Sequence, residues 1–443
     1  MLRKSKTIIA MLLVVLTFAT TITSVHATEG GSEDPAPNNG AIVAENEDTP
    51  VKAAITKQLK FPEGTNVPNA RFIFEMKGIS IDGDTSRGQD APLPPVSDLT
   101  ITYPGDYVDI NLEDDIWTLT LETLDIFRNV HFTSAGEYVY EITEMEPTNP
   151  TIDNGDDEWL NYSKAKYTLH VLVANKSGEE GGLYIYAIGT KVTINDDGTP
   201  GSGDKVDATP GGNRVEYYFS QMIFINEYVM LNEPDKPDEP DPVDYSSLFT
   251  SKTVEGIFAS HTDFFDFEMT VNAPSLLPAN LVPAYYKAYV VEGDDVVTSA
   301  DNVNLSNTAV DANGRYIMVV PGVAIEFSLR HNQRLVFLDT PVGTRYEVKE
   351  FGDSRYLASY VVTINGIAGA EVKAENHGDD LSTGIQYTGE SGNSVAFTNY
   401  RDYITPTGLN VKDLPFFVLI ALGLGTLFTF VAMTVNKRRQ YHR

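Results

Sequence analysis

Three short phrases occur twice in this chain of 443 residues, in the same order, and each pair carries a lysine, a glutamate and an asparagine at a matching place. The first set is ITKQLKFPEG with Lys57, YEITE ending at Glu144 and IFINEY with Asn226. The second is FTSKTVEG with Lys252, YEVKE ending at Glu350 and VAFTNY with Asn399. These residue types can join without an enzyme. A neutral lysine amine is a nucleophile, an asparagine amide is an acyl donor once its carbonyl is polarised, and a protonated glutamate can polarise it and carry the proton. The product is an intramolecular isopeptide bond, with ammonia released. Burial among apolar groups lowers a lysine pKa and raises a glutamate pKa, so a core favours the forms the reaction needs. Holding the groups together supplies most of the rate. A single triplet would read more plainly as an edge-strand lysine, a solvated glutamate and a turn asparagine. Two triplets in the same order and phrases argue for the bond in each half of the chain.

The elements that must position them read as strands. ARFIFEM (70–76), GEYVYEITE (136–144), YTLHVLVAN (167–175) and LYIYAIGTKVTI (183–194) alternate aromatic or β-branched residues with polar ones. DFFDFEMTV (263–271), YYKAYVVEG (285–293), AIEFSLR (324–330), TRYEVKEF (344–351) and YVVTINGI (360–367) do the same. Helical periodicity is confined to a turn or two around Leu121 to Asn129. The pattern predicts an all-β protein of two tandem immunoglobulin-like β-sandwiches. In such a sandwich the first and last strands can run side by side, which would set Lys57 beside Asn226 and Lys252 beside Asn399. Alternation puts Glu144 on the face of Tyr140 and Ile142, and Glu350 on the face of Tyr346 and Val348. A carboxyl on an apolar face needs a reason.

Composition places the chain outside the cell. Residues 1–27 have a basic start, an apolar run from Ile8 to Phe18, and Val25 and Ala27 spaced as for a signal peptidase. At the other end the uncharged stretch Leu414 to Val435 is followed by Lys437, Arg438, Arg439 and Arg443, the pattern of one membrane span with its tail inside. Cysteine is absent, so disulfides, thiolate metal sites and cysteine nucleophiles are excluded. The net charge is −30, and removing residues 1–27 and 409–443 leaves 24 basic against 61 acidic residues, near −37. That argues strongly against nucleic acid as a partner. Residues 28–50 read as a flexible acidic leader, with order beginning near Val51. The Pro/acid-rich segment 231–245 reads as an extended, semi-rigid linker. The first sandwich is thus expected over 51–230 and the second over 246–403.

The ITKxLKFPEGT opening, the GEYxYEITE strand and the FxNxY close resemble the streptococcal pilin isopeptide linkage domain of Gram-positive shaft pilins. The resemblance covers nearly all of residues 51–402. It implies that Lys57 bonds to Asn226 with Glu144 promoting, and Lys252 to Asn399 with Glu350 promoting. The second opening lacks the LKFPEG tail, which makes Lys252 the loosest match. ITPTG at Ile404 to Gly408, the apolar span and the basic tail have the order of a sortase sorting signal, residues 404–443, with cleavage expected between Thr407 and Gly408. The family's shaft pilins accept the next subunit on a lysine late in the first domain. Here Lys191 and Lys205 are both eligible, and Lys205 is expected in the more exposed Gly-rich loop. Sortase, neighbouring pilin subunits, peptidoglycan and a host surface ligand are the implied partners.

Other motifs are fragmentary. Asp82 and Asp84 in IDGD, the NDDG at 195–198 and Asp153 to Glu158 lack full calcium-loop spacing and read as solvated turns. No metal or cofactor is expected. No HExxH, GxSxG or phosphate-binding glycine loop is present. An enzyme acting on an outside substrate is therefore disfavoured, and the reading is a wall-anchored, sortase-polymerised pilus subunit. A non-polymerising wall adhesin or basal pilin is the alternative.

Overall fold

The computed structural model describes residues 41–402, apart from 153, 156, 179–180, 212–218, 235, 298 and 303–307, together with 419–420, 422–427 and 429–433. The expected signal peptide and the ITPTG motif lie outside the described residues. Among the described residues no helix is long and apolar enough to cross a membrane; those of the apolar stretch between 419 and 433 are helical and exposed.

Alternation in sequence becomes alternation in burial. Along Ala70–Ile81 the side chains of Ala70, Phe72, Phe74 and Met76 are buried, while Arg71, Glu75 and Lys77 are exposed. Gly136–Glu144 buries Tyr138, Tyr140 and Ile142 in the same way. These strands belong to one sheet, ordered Ala41–Val43, Leu183–Ile194, Lys166–Asn175, Gly136–Glu144, Ala70–Ile81 and Thr100–Tyr103. The facing sheet runs Asp109–Glu113, Ile116–Glu122, Thr56–Pro62, Ile223–Met230 and Glu158–Asn161. Phe72, Phe74, Tyr140 and Leu169 from the first sheet and Leu59, Leu121 and Phe224 from the second share one core. The Phe74 and Phe224 rings meet across it at 4.8 Å.

The second half repeats the plan. Its larger sheet includes, in order, Tyr286–Glu292, Gln333–Phe337, Leu248–Glu255, Ser394–Tyr400 and Leu357–Ile364. Its smaller sheet includes Ile325–Leu329, Phe265–Asn272, Arg345–Glu350 and Leu381–Ser382. Phe267 and Phe397 close the core between them at 5.2 Å. In each half the opening strand pairs in parallel with the closing one, Thr56–Pro62 with Ile223–Met230 and Leu248–Glu255 with Ser394–Tyr400. Both pairs share a register: Lys57 lies opposite Phe224 and Lys252 opposite Phe397, so each asparagine stands two positions further along.

Three expectations are corrected. Order begins before Val51, because the apolar run Ala41–Val43 inside the acidic leader pairs with Leu183–Ile194 at the sheet edge. The 231–245 segment is not the extended spacer expected: it turns at Lys236 and Asp244, and Val243 and Tyr245 pack against Val291, Val336 and Leu338 of the second sandwich. Leu121 to Asn129 holds no helix; Leu121 sits in the strand Ile116–Glu122, and tight turns close at Arg128 and Val130.

The sandwiches also touch directly. Asp115 of the first half pairs with Arg345 at 2.8 Å and accepts from the Tyr387 hydroxyl. Glu390 takes both the backbone and side-chain N–H of Asn66, at 2.8 and 2.7 Å. Gly64 adopts φ +96° where a Cβ would lie 2.2 Å from the Thr388 carbonyl oxygen, so only glycine fits that approach.

Candidate functional site

Each sandwich buries its lysine, glutamate and asparagine together. In the first, Lys57 and Asn226 project from the sheet of paired opening and closing strands, and Glu144 reaches them from the facing sheet. Lys57 Nζ lies 2.8 Å from Glu144 Oε2, and Asn226 Nδ2 donates to Glu144 Oε1 at 2.7 Å. The Lys57 and Glu144 side chains are 0% exposed. The Lys57 amine also sits 4.6 Å from the Phe72 ring centre.

The second site has the same members and a different bonding pattern. Lys252 Nζ and Asn399 Nδ2 both approach Glu350 Oε1, each at 2.6 Å. Glu350 Oε2 and Asn399 Oδ1 are buried with no hydrogen-bond partner. Phe265 and Phe267 flank the Lys252 amine at 4.5 and 5.6 Å. Although FTSKTVEG was the looser match in sequence, Lys252 occupies the same register as Lys57.

Burial sets the protonation preferences. It pushes the Lys57 amine below its ordinary value, against the pull of the neighbouring Glu144, and pushes the Glu144 carboxyl up. At the second site burial pushes Lys252 down to about 8, again opposed by its glutamate, and raises Glu350. Both shifts move the pair toward a neutral amine beside a protonated acid. In those forms the amine is a nucleophile and the carboxyl a proton donor, the two roles that acyl transfer from an amide requires.

Two neighbours of the first site carried no signal in the sequence. The backbone N–H of Ser163 donates to Asn226 Oδ1 at 2.8 Å. Asp196, which NDDG suggested was a solvated turn residue, is instead half-buried beside Lys57. Its Oδ1 accepts from the Ser163 hydroxyl and from Ile225 N. The turn itself is made by its neighbours Asn195 and Asp197, which bond to Thr199. Short-range turn chemistry thus masked a carboxylate that acts across the fold.

Lys191 and Lys205 are exposed and face each other across paired strands of the first sandwich. Lys205 lies in the strand Lys205–Val206 rather than in a loop, since Val192 N bonding to Asp204 O draws the segment onto the sheet edge. Thr407 and Gly408 lie outside the described residues. No cluster of three or more potential metal ligands occurs among the described residues.

Residues 246–401, the second sandwich, match the family described as Domain of unknown function (DUF7601). Over 387 residues the chain is 21% identical to a protein of Streptococcus pyogenes serotype M1 named Pilin, covering 86% of this chain and 90% of that one. Among solved structures, the major pilin from Streptococcus pyogenes matches at 18% identity over 80% of this chain and all of that one, with a TM-score of 0.29. The T3.2 major pilin protein of the same species matches at 19% identity over 82% of this chain and all of that one, with a TM-score of 0.27. The chain is thus a double β-sandwich protein that over most of its length is similar to a streptococcal pilin.

Proposed function

We propose that this protein is a subunit of a cell-surface pilus, each of whose sandwiches seals itself with one isopeptide bond, Lys57 to Asn226 and Lys252 to Asn399. The observation that carries the reading is the same buried Lys, Glu and Asn triangle built twice, each time between paired terminal strands and the facing sheet. Keeping two lysines and two carboxyls in apolar cores costs several kcal/mol per ion unless they react or pair well. A relative named Pilin that matches most of the chain supports the assignment. Polymerisation would run through a sortase that cuts between Thr407 and Gly408 and passes the Thr407 acyl group to Lys191 or Lys205 of the next subunit. The last subunit would pass to a peptidoglycan precursor. The chemistry within the chain is single-turnover self-modification rather than enzymatic turnover.

Immunoblotting of wall extracts tests the assembly. A ladder of high-mass species is expected from the parent strain, absent in Thr407→Ala, and lost with wall-linked monomer retained when Lys191 and Lys205 are replaced together. A parent strain that shows only monomer would replace the shaft role with that of a non-polymerising wall protein.

A further inference from the structure

The two sites differ at the oxygen where negative charge would develop. If the lysine attacks, the Asn226 carbonyl electrons move onto Oδ1, and Ser163 N–H already stands 2.8 Å from that atom. Asn399 Oδ1 has no hydrogen-bond partner. Preorganised donors at such an oxygen are among the largest contributions to acyl-transfer rates.

Asp196 holds the donor in place. One carboxylate oxygen takes the Ser163 hydroxyl and, at 3.0 Å, the N–H of Ile225, the residue before the acyl donor. The Ser163 hydroxyl in turn accepts from Ala165 N at 3.2 Å, and Lys164 N bonds to the Asp196 carbonyl at 3.0 Å. A single side chain therefore ties both walls of the carbonyl site. We propose that Ser163 N–H is an oxyanion donor for self-linking in the first sandwich, that Asp196 is the residue positioning it, and that the first bond consequently forms faster than the second. This rests on the isopeptide reading above.

The step balances within the site. Lys57 Nζ bonds to Asn226 Cγ, Glu144 gives its proton to Nδ2 and recovers one from Nζ, the Cγ–Nδ2 bond breaks, and ammonia leaves. Oδ1 carries the transient charge against Ser163 N–H. The charged groups facing Asp196 are Lys57, Glu144 and Glu227. The Asp196 charge favours the protonated amine, so its benefit must come from placement.

The test follows full-length chains freshly made in a cell-free system, quenched in acid at intervals and digested. The Lys57–Asn226 and Lys252–Asn399 cross-linked peptides are quantified separately by mass spectrometry. The second bond is an internal clock in every molecule. Both tryptophans, Trp117 and Trp159, lie in the first sandwich, so their fluorescence reports its folding independently of the bond. In the parent chain the first peptide should appear before the second. Asp196→Ala should slow the first bond by about 10-fold or more, with the second unchanged. Ser163→Ala, which keeps the N–H but loses its tether, should move the same way. Asp196→Asn, which keeps an accepting oxygen, should retain most of the rate. An undiminished first bond in folded Asp196→Ala or Ser163→Ala chains overturns the proposal, as does Asp196→Asn reacting as slowly as Asp196→Ala. A parent chain that never yields the Lys57–Asn226 peptide overturns the underlying isopeptide reading instead.

Discussion

At the residue scale the question is where one proton sits. A buried lysine and glutamate share it, either as an ion pair or as amine and acid, and only the second form can react. Glu350 Oε2 and Asn399 Oδ1 are both acceptors buried without donors, the pattern expected where a carboxyl proton is needed. The soluble ectodomain, made without sortase, should therefore weigh two ammonia molecules less than its sequence. Glu144→Gln and Glu350→Gln should each restore one, and a folded protein of full mass would refute both bonds. The pH dependence has a definite sign. Lys252 is depressed to about 8, so the neutral amine gains as pH rises through that value, while above the raised value of Glu350 the carboxyl proton is gone and nothing is left to give the leaving nitrogen. Well below the raised value of Glu350, both groups are protonated and the nucleophile is lost. Formation of the second bond in freshly made chains should fall on both sides of a maximum. A rate that only rises with pH, with no falling limb, would show that the carboxyl proton is not used.

At the element scale the terminal strands are the device. Parallel pairing of the opening and closing strands with the same two-residue offset puts a lysine and an asparagine on one face in both halves. The bonds would close loops of about 170 and about 150 residues, each worth about 5 kcal/mol by loop-entropy arithmetic. Glu144→Gln keeps side-chain size while preventing the bond. The tryptophan-detected melt of the first sandwich should therefore drop by about 10–20 °C. An unchanged melt would mean that the strand ends bear no covalent link. Much of this was legible beforehand. Period-two alternation marked Ala70–Ile81, Gly136–Glu144 and Arg345–Glu350, and the repeated phrases singled out all six residues of the two triangles. What was hidden has one physical cause: tertiary partners. Ala41–Val43 looks like part of a polar leader until Leu183–Ile194 offers an edge, and Asp196 looks like a turn residue until Ser163 and Ile225 arrive beside it.

At the scale of the whole molecule the acidic, proline-rich segment between the sandwiches reads in sequence as an extended, semi-rigid linker, and the contacts argue for a fixed joint. Glu233 inside that segment is buried, accepting from Asn393 at 3.0 Å and from Tyr245 at 3.1 Å, and Asn393 leads directly into the strand that carries Asn399. Lys236 pairs with Asp339 at 2.7 Å, and Met230 O accepts from Val342 N at 3.0 Å. The PEG turn of the first opening meets the second sandwich: Gly64 within it lies against Thr388, and the neighbouring Pro62 lies against Gly343, whose own Cβ would sit 2.4 Å from Pro62 Cβ at φ +82°. Gly64→Ala should therefore force the joint apart, because the added carbon meets backbone rather than a flexible side chain, and the positive φ adds strain. The expected result is a larger radius of gyration in small-angle X-ray scattering, together with full loss of both ammonia molecules, since neither triangle is touched. Scattering that matches the parent would show that the joint does not depend on this contact. Loss of either bond would show that the two halves do not close independently.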